Sequence, residues 1–177
     1  MSPKEKRARL FRKNRPFVRP LQVYDGNDYS RDIKILWVAY QKKQFTSLPE
    51  NMQQAEFAAE IEKASRDHEF FMVEDRNPSY EGNGPIAVVW LFNDGWKIRP
   101  HTEFFAWTTR LNKLRSTVSF LQMLRYKKIG CCLIESLKES KILFDKCTEY
   151  GVLHYVGMIH NGDPRGDEYL YSIRGKR

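Results

Sequence analysis

The chain has 177 residues, with 30 lysines and arginines against 22 aspartates and glutamates, and a formal net charge of +8. Residues 1–19 carry a net charge of +7 and the last four carry +3, so the rest of the chain carries −2. This length suits one domain with a substantial core, and a hydrophobic content of 41% excludes wholesale disorder. The longest apolar run, Ile86–Phe92, is far shorter than the roughly 20 residues of a membrane helix, so we predict no membrane partner.

The charge distribution predicts a basic flexible arm over 1–16, a single domain over 17–173 and a basic tail over 174–177. No hydrophobic stretch follows the basic start, which excludes a secretory signal. The three cysteines lack C-x-x-C spacing. We therefore predict neither a disulfide framework nor a metal site, and reduced thiols in a cytoplasmic protein.

The first part of the domain predicts one strand and two helices. Residues 17–24 alternate loosely between apolar and polar side chains, which favours an extended segment. Ser30 is a favourable N-cap for a helix over 31–44. The run Ser47-Leu-Pro-Glu50 has the form of a capping box with proline in the first turn, and it predicts a second helix reaching residue 66.

The hydrophobic period then becomes that of strands. Residues 69–74 and 86–92 predict two strands, and the turn signal Asn93-Asp-Gly95 predicts that the chain returns antiparallel from Trp96. Residues 102–108 are the next predicted strand, with four side chains on one face: His101, Glu103, Phe105 and Trp107. Thr109 is the predicted cap of a helix that extends to about Tyr126.

The last third predicts a strand over 129–134, a helix opened by a second capping box at Ser136–Glu139, and strands over 152–160 and 167–173. That helix is expected to bury Ile142, Leu143 and Cys147 and to end at Gly151. The predicted strands over 102–108 and 129–134 are separated by the helix that Thr109 caps. This order predicts that the two strands are parallel and joined by a right-handed crossover. The sequence therefore predicts an α/β (α+β) fold, with a mixed, mainly antiparallel sheet of six to seven strands flanked by about four helices.

This order of elements resembles that of the GNAT superfamily of N-acetyltransferases over residues 17–173. Two runs also resemble short GNAT-like proteins encoded by tailed bacteriophages. They are HTEFFAWTTRLNKLR, residues 101–115, and LFDKCTEYGVLHYVG, residues 143–157.

In that superfamily acetyl-CoA lies in a splay between the fourth and fifth strands. The resemblance places its pantetheine arm along 103–107, which includes Phe105, Ala106 and Trp107. It places the pyrophosphate at the start of the next helix, where the superfamily has R/Q-x-x-G-x-G/A. Here Arg110 matches, but Lys113 and Arg115 stand where the small residues would be. Either these cations hold the phosphates in place of backbone amides, or the site has lost the cofactor.

The resemblance also implies a base and an acid for acetyl transfer. Glu103 is the candidate base; alternatively it is a surface carboxylate paired with Arg99 or Arg110. Superfamily members carry an acid tyrosine in the helix before the sixth strand. That position falls on Phe144 here, and Tyr150, within two turns, is the alternative.

Three functions follow from these observations. The first is an N-acetyltransferase that uses acetyl-CoA and a primary amine. The second is a catalytically inactive GNAT-fold phage virion or assembly component, whose basic arms contact DNA or partner proteins in the host cytoplasm or the virion. The third is a nucleic-acid-binding module that uses the arms and the cations over 99–128.

Overall fold

A seven-stranded sheet organises the protein in this computed structural model, which describes residues 1–177 except 12–14, 46, 76–83, 94–96, 127–132 and 174–177. The strand order across the sheet is β1-β4-β5-β6-β7-β9-β8. Its strands are β1 (Phe17–Pro20), β4 (Glu69–Glu74), β5 (Pro85–Asn93), β6 (Lys97–Phe104), β7 (Leu133–Leu137), β8 (Leu153–Asp163) and β9 (Gly166–Ile173). A separate short hairpin is formed by β2 (Tyr24–Asp25) and β3 (Asp28–Tyr29).

Neighbouring strands are antiparallel except β6 and β7, which are parallel and are joined by a helix, as predicted. The described residues form five helices: α1 (Pro3–Leu10), α2 (Arg31–Gln41), α3 (Gln54–Asp67), α4 (Arg110–Tyr126) and α5 (Lys138–Glu149). The fold class is therefore the mixed, mainly antiparallel one that the sequence predicts.

Side chains alternate between the two faces of the sheet along each strand, and a separate hydrophobic core lies on each face. Phe71 and Val73 of β4 pack in one cluster with side chains of α4 and α5. Met72, between them, packs in the other cluster with side chains of α2 and α3. Successive strand residues point to opposite faces, so the sheet separates an α4/α5 face from an α2/α3 face.

Two predicted helix starts agree with the structure. The Ser30 hydroxyl accepts hydrogen bonds from the backbone N–H groups of Asp32 (3.1 Å) and Ile33 (3.2 Å) at the start of α2. The Thr109 hydroxyl accepts one from the N–H of Asn112 (3.2 Å) at the start of α4. These caps satisfy helix N–H groups that have no intrahelical acceptor.

The helix start predicted at Ser47–Glu50 is wrong. The Tyr40 hydroxyl donates to the Pro49 carbonyl (2.6 Å) and accepts from the Met52 N–H (2.9 Å), which holds this segment as an irregular connection. The capping box lies further on, where Gln53 and Glu56 open α3. The strand predicted over 17–24 is also shorter, because it pairs with β4 only at residues 17–20.

The second predicted capping box, at Ser136–Glu139, is wrong as well. Ser136 pairs with Tyr169 of β9, so the strand continues to Leu137 and α5 begins at Lys138 without a side-chain cap. Ile142 is 76% exposed rather than buried, while Phe144 and Cys147 face the core. Most of the strand predicted over 129–134 lies outside the described residues.

Residues 3–10, expected to be part of a flexible arm, form α1. Its N-terminus is a reciprocal capping box between Ser2 and Glu5, and Leu10 packs against the core on the α4/α5 face. The helix passes close to Gly151, whose φ of +65° suits the C-terminus of α5 as predicted. A Cβ at Gly151 would lie 3.0 Å from that of Pro3, so glycine is favoured there by both conformation and space.

Cys147 is a free, buried thiol in α5. Burial raises its pKa to about 12, because a thiolate is poorly stabilised away from water. No helix in the described part of the chain is long and apolar enough to cross a membrane.

A buried ion-pair network joins β1, α2 and β4. Arg19 donates to both carboxylate oxygens of Asp32 (2.6 Å each) and to Glu74 (2.5 Å). Hydrogen bonding to Asp32 raises the pKa of Arg19. Arg19 is therefore a partly buried structural residue of the domain, although it lies at the end of the strongly basic stretch 1–19.

We expect Asp32→Asn to lower the free energy of unfolding by about 3 kcal/mol, because it leaves the Arg19 charge without its bidentate partner. Arg31→Gln is the matched control, since Arg31 contacts the same Glu74 (3.2 Å) from an exposed position, where such pairs contribute below about 1 kcal/mol. Urea unfolding of both variants measures the difference. Equal losses would contradict the assignment of Asp32 as the buried partner.

Candidate functional site

The candidate site lies where β6 and β7 separate. In the described residues the ladder between them has two pairs, Lys97 with Leu133 and Ile98 with Ile134. Beyond these pairs β6 stays paired with β5 as far as Phe104, and β7 stays paired with β9. The two strands therefore diverge, and the β6 edge that faces β7 presents backbone groups to an extended ligand.

A narrow cavity of about 60 Å³ lies on the α4/α5 face beside the separated part of β6, between the sheet and the two helices. Its floor is formed by alternate β6 residues, Pro100, Thr102 and Phe104. The two helices supply hydroxyl and apolar side chains, which include Ser116 and Thr117 from α4 and Ser140, Leu143 and Phe144 from α5. Sequence reasoning missed these hydroxyls, although Ser140 lies one helical turn before Phe144.

The strand predicted over 102–108 ends at Phe104, so Phe105, Ala106 and Trp107 lie in the turn that leads into α4. Three hydrogen bonds fasten this turn to the start of β5. The Phe105 N–H (3.1 Å) and the Thr108 hydroxyl (2.8 Å) donate to the Ile86 carbonyl. The Trp107 indole N–H donates to the Pro85 carbonyl (2.8 Å). The position of the α4 N-terminus relative to the splay is thereby fixed.

The basic residues at the α4 N-terminus occupy three different environments. Arg110 is exposed. The Lys113 ammonium lies 5.2 Å from the Phe104 ring centroid, a distance suited to a cation–π contact. Arg115 is buried and reaches the side chains of Asp75 (3.4 Å) and Asn112 (3.1 Å). Arg110 is therefore accessible to solvent and Lys113 lies beside Phe104 at the end of β6, whereas Arg115 is engaged within the protein.

The helix N-terminus also has amides available to an anion. The Lys113 N–H donates to the Thr109 carbonyl (2.9 Å), and the Asn112 N–H donates to the Thr109 hydroxyl, which caps the helix. The N–H groups of Arg110 and Leu111 have no acceptor in the described part of the chain. Two free amides beside an exposed guanidinium are a suitable site for a phosphate.

On the α2/α3 face of β6, Glu103 lies beside His101, with its Oε1 3.5 Å from the His101 Nε2. Glu103 does not pair with Arg99, which was one of its predicted partners. Arg99 is instead held by carboxylates of β7, β8 and β9. Both Glu103 and His101 are partly exposed, so a ligand approaching this face can reach them.

A buried ionic network closes the narrow end of the splay. Lys97 contacts Glu135 (2.7 Å) and Glu168 (3.0 Å). Arg99 contacts Glu135, Asp163 (3.1 Å) and Glu168 (2.9 Å). The three carboxylates lie close enough to one another to hold a cation, and lysine and arginine side chains already supply that positive charge.

The two candidate acid residues lie apart. Phe144 is buried and lines the cavity, where its ring has no proton to give. Tyr150 caps the C-terminus of α5 and packs partly buried against the core, outside the residues that line the cavity. The catalytic role of Tyr150 stays a prediction of the sequence.

Asp163 gives the network a pH dependence. Hydrogen bonds from the Arg165 side chain (2.8 Å) and backbone (2.9 Å) lower the Asp163 pKa well below its ordinary value, and Arg99 adds to this. A carboxylate with a lowered folded-state pKa stabilises the fold above its unfolded pKa of about 3.9. That contribution is lost as the pH falls further.

We therefore expect the free energy of unfolding to fall as the pH drops below about 4, and Asp163→Asn to reduce that fall. Urea titrations at pH 7, 5 and 3 on both proteins give the comparison. An unchanged pH dependence in the variant would show that Asp163 does not titrate as described.

Comparisons with known proteins support the fold. No family model matches the sequence, and no curated protein matches it. Among solved structures, a spermidine N-acetyltransferase from Vibrio cholerae, crystallised with CoA and spermine, has a TM-score of 0.58 at 13% identity. That match covers 90% of this chain and 95% of that one.

Two further structures agree with it. An aminoglycoside acetyltransferase, AAC(6')-Ib, crystallised with coenzyme A and kanamycin, has a TM-score of 0.55 at 11% identity, covering 90% of this chain and 95% of that one. A putative acetyltransferase from Acinetobacter baylyi has a TM-score of 0.52 at 7% identity, covering 89% and 92%. The protein thus has the GNAT fold, as predicted, while the narrower resemblance to phage proteins receives no support from these matches.

Proposed function

We propose that this protein is an N-acetyltransferase that moves an acetyl group from acetyl-CoA to a primary amine. The observation that carries the proposal is the β6–β7 splay, with a cavity on one face and accessible Glu103 on the other. The similar structures were crystallised with CoA and are acetyltransferases, which supports acetyl-CoA as the acyl donor.

The residues at the splay fit acetyl-CoA in three respects. The separated β6 edge offers backbone partners to the amides of the pantetheine arm. The adjoining cavity adds polar groups: the Ser116 and Thr117 hydroxyls, which donate to the Lys113 carbonyl (2.9 Å each) and remain acceptors, and the Ser140 hydroxyl. The Arg110 guanidinium and the free amides of the first turn of α4 suit the pyrophosphate, in place of the glycine-rich loop expected for the superfamily.

In the proposed reaction the amine nitrogen attacks the thioester carbonyl carbon, a C–N bond forms and the C–S bond breaks. Glu103 accepts the proton that the ammonium must lose, directly or through a water. The nitrogen loses its second proton to solvent as the tetrahedral intermediate collapses, and the CoA thiolate leaves and takes up one proton to become the thiol, so that one proton is released overall. Tyr150 is the proton donor suggested by the resemblance; solvent in the cavity is the alternative, since Phe144 cannot donate.

Acetyl-CoA binding tests the proposal most directly. We expect saturable heat in a calorimetric titration, and Arg110→Ala to weaken the affinity about tenfold, the loss of one charge-assisted hydrogen bond. Lys63→Ala, an exposed cation in α3 on the other face of the sheet, is the matched control. Absence of binding at millimolar acetyl-CoA would overturn the proposal.

Glu103→Gln tests the base. It keeps the size of the side chain and removes its capacity to accept a proton, so we expect kcat with an accepted amine to fall by about 10² to 10⁴. The rate is measured as thiol release from acetyl-CoA. As a control, we expect calorimetry to show that Glu103→Gln binds acetyl-CoA with unchanged affinity. A variant with full activity would exclude Glu103 as the base.

The phage virion or assembly role and the nucleic-acid-binding role stay predictions of the sequence, and the comparisons lend them no support. They depend on the basic N-terminal region, where Lys6 of α1 lies 3.9 Å from Glu149 and Arg19 contacts Asp32, and the nucleic-acid role depends also on the cations over 99–128. Binding to duplex DNA that weakens steeply with salt would favour the nucleic-acid role.

A further inference from the structure

A row of three stacked rings crosses the sheet beside Glu103. Phe70, Trp90 and His101 occupy the same row of β4, β5 and β6. The Phe70 and Trp90 ring centroids are 5.4 Å apart, those of Trp90 and His101 are 4.1 Å apart, and both pairs are stacked. We call these three residues the aromatic shelf. All three are only partly buried, so the shelf presents aromatic surface to a ligand.

A cavity of about 230 Å³ adjoins the shelf, between the sheet and α3. It is largely apolar; its lining includes Val88, Trp90 and Phe92 from β5, Ile61 and Ala64 from α3, and Leu48 from the connection before α3. An apolar cavity of about 150 Å³ already accepts benzene. This one is therefore large enough for a phenyl ring and a short alkyl chain.

The cavity is placed next to the candidate base. Val88, in its wall, is the direct cross-strand partner of Glu103, and Trp90 is that of His101. The Gln44 side chain donates to the Phe104 carbonyl (3.2 Å), while its own buried Oε1 accepts no hydrogen bond in the described residues. Glu103, which is partly exposed, offers an acceptor to an ammonium group at the end of β6.

The charges on this face do not favour a polycation. The buried carboxylates Glu135, Asp163 and Glu168 are engaged by Lys97, Arg99 and Arg165. Among the residues that line the apolar cavity, the carboxylate is that of Glu60. A substrate with several ammonium groups would find few uncompensated partners here, whereas an amine on an apolar body would find both a base and a cavity.

We infer that the acceptor is a primary monoamine on a flat, apolar body. The body enters the cavity against the Phe70 and Trp90 side of the aromatic shelf, and the amine lies at Glu103. This inference rests on the proposed function, because it names the acceptor of the proposed acetyl transfer. Binding of the amine can nevertheless be measured without any reaction.

Binding of 2-phenylethylamine, propylamine and spermidine to the full-length protein, with and without CoA, tests the inference by calorimetry. We expect 2-phenylethylamine to bind at least about tenfold more tightly than either other amine, because burying a phenyl group contributes at least that factor. Equal or tighter binding of spermidine or propylamine would overturn the inference.

Ala64→Leu should fill the cavity and weaken 2-phenylethylamine binding about tenfold. Ala59→Leu, the same change on the exposed side of α3, should leave it unchanged. Should circular dichroism show Ala64→Leu to be misfolded, His101→Ala, which shortens the shelf at a partly exposed position, provides the same comparison. An affinity that neither cavity nor shelf variant changes would overturn the inference.

The same variants separate this inference from the proposed function. Tight, cavity-dependent binding of 2-phenylethylamine without thiol release would support the acceptor class and count against acetyl transfer. Acetylation of spermidine in preference to 2-phenylethylamine would support transfer and overturn the acceptor class.

Discussion

The divergence of β6 from β7 is the constraint on which the rest of the structure depends. Two parallel strands lie beside each other in one sheet, yet in the described residues they pair at two positions only. The buried ion pairs of Lys97 and Arg99 hold both strands to β9 at that point. Beyond that point β6 stays paired with β5, and β7 stays paired with β9. A gap therefore opens between β6 and β7 inside a sheet that stays continuous elsewhere.

This gap gives the two faces of the sheet different chemistry. The α4/α5 face has a narrow, hydroxyl-lined cavity and a helix N-terminus with accessible cations, which suits a long anionic thioester. The α2/α3 face has a carboxylate, stacked rings and an apolar cavity, which suits the body of an amine. In the proposed reaction, the two reactants would approach from opposite faces and meet where the strands part, so the sheet itself would orient them.

Much of the fold follows from local patterns in the sequence. The apolar runs at 69–74 and 86–92, the caps Ser30 and Thr109 and the turn glycine Gly151 are short-range features, and each lies where predicted. The capping boxes at 47–50 and 136–139 failed because tertiary partners prevailed: Tyr40 holds the first segment and β9 pairs with the second. The aromatic shelf and the pairing of Arg99 depend on register across three strands, which a single sequence does not specify.

The alternation along β6 has a consequence for how this chain tolerates insertions and deletions. Pro100, Thr102 and Phe104 line the cavity on one face, while His101 and Glu103 stand on the other. Adding or removing one residue between the Ile98 pair and Phe104 would invert every side chain beyond it. The carboxylate would then point into the narrow cavity, and Phe104 after a deletion, or Thr102 after an insertion, would stand in its place. Length within this segment is therefore constrained by both faces at once, and homologous chains should vary in length at the ends of β6 rather than within it.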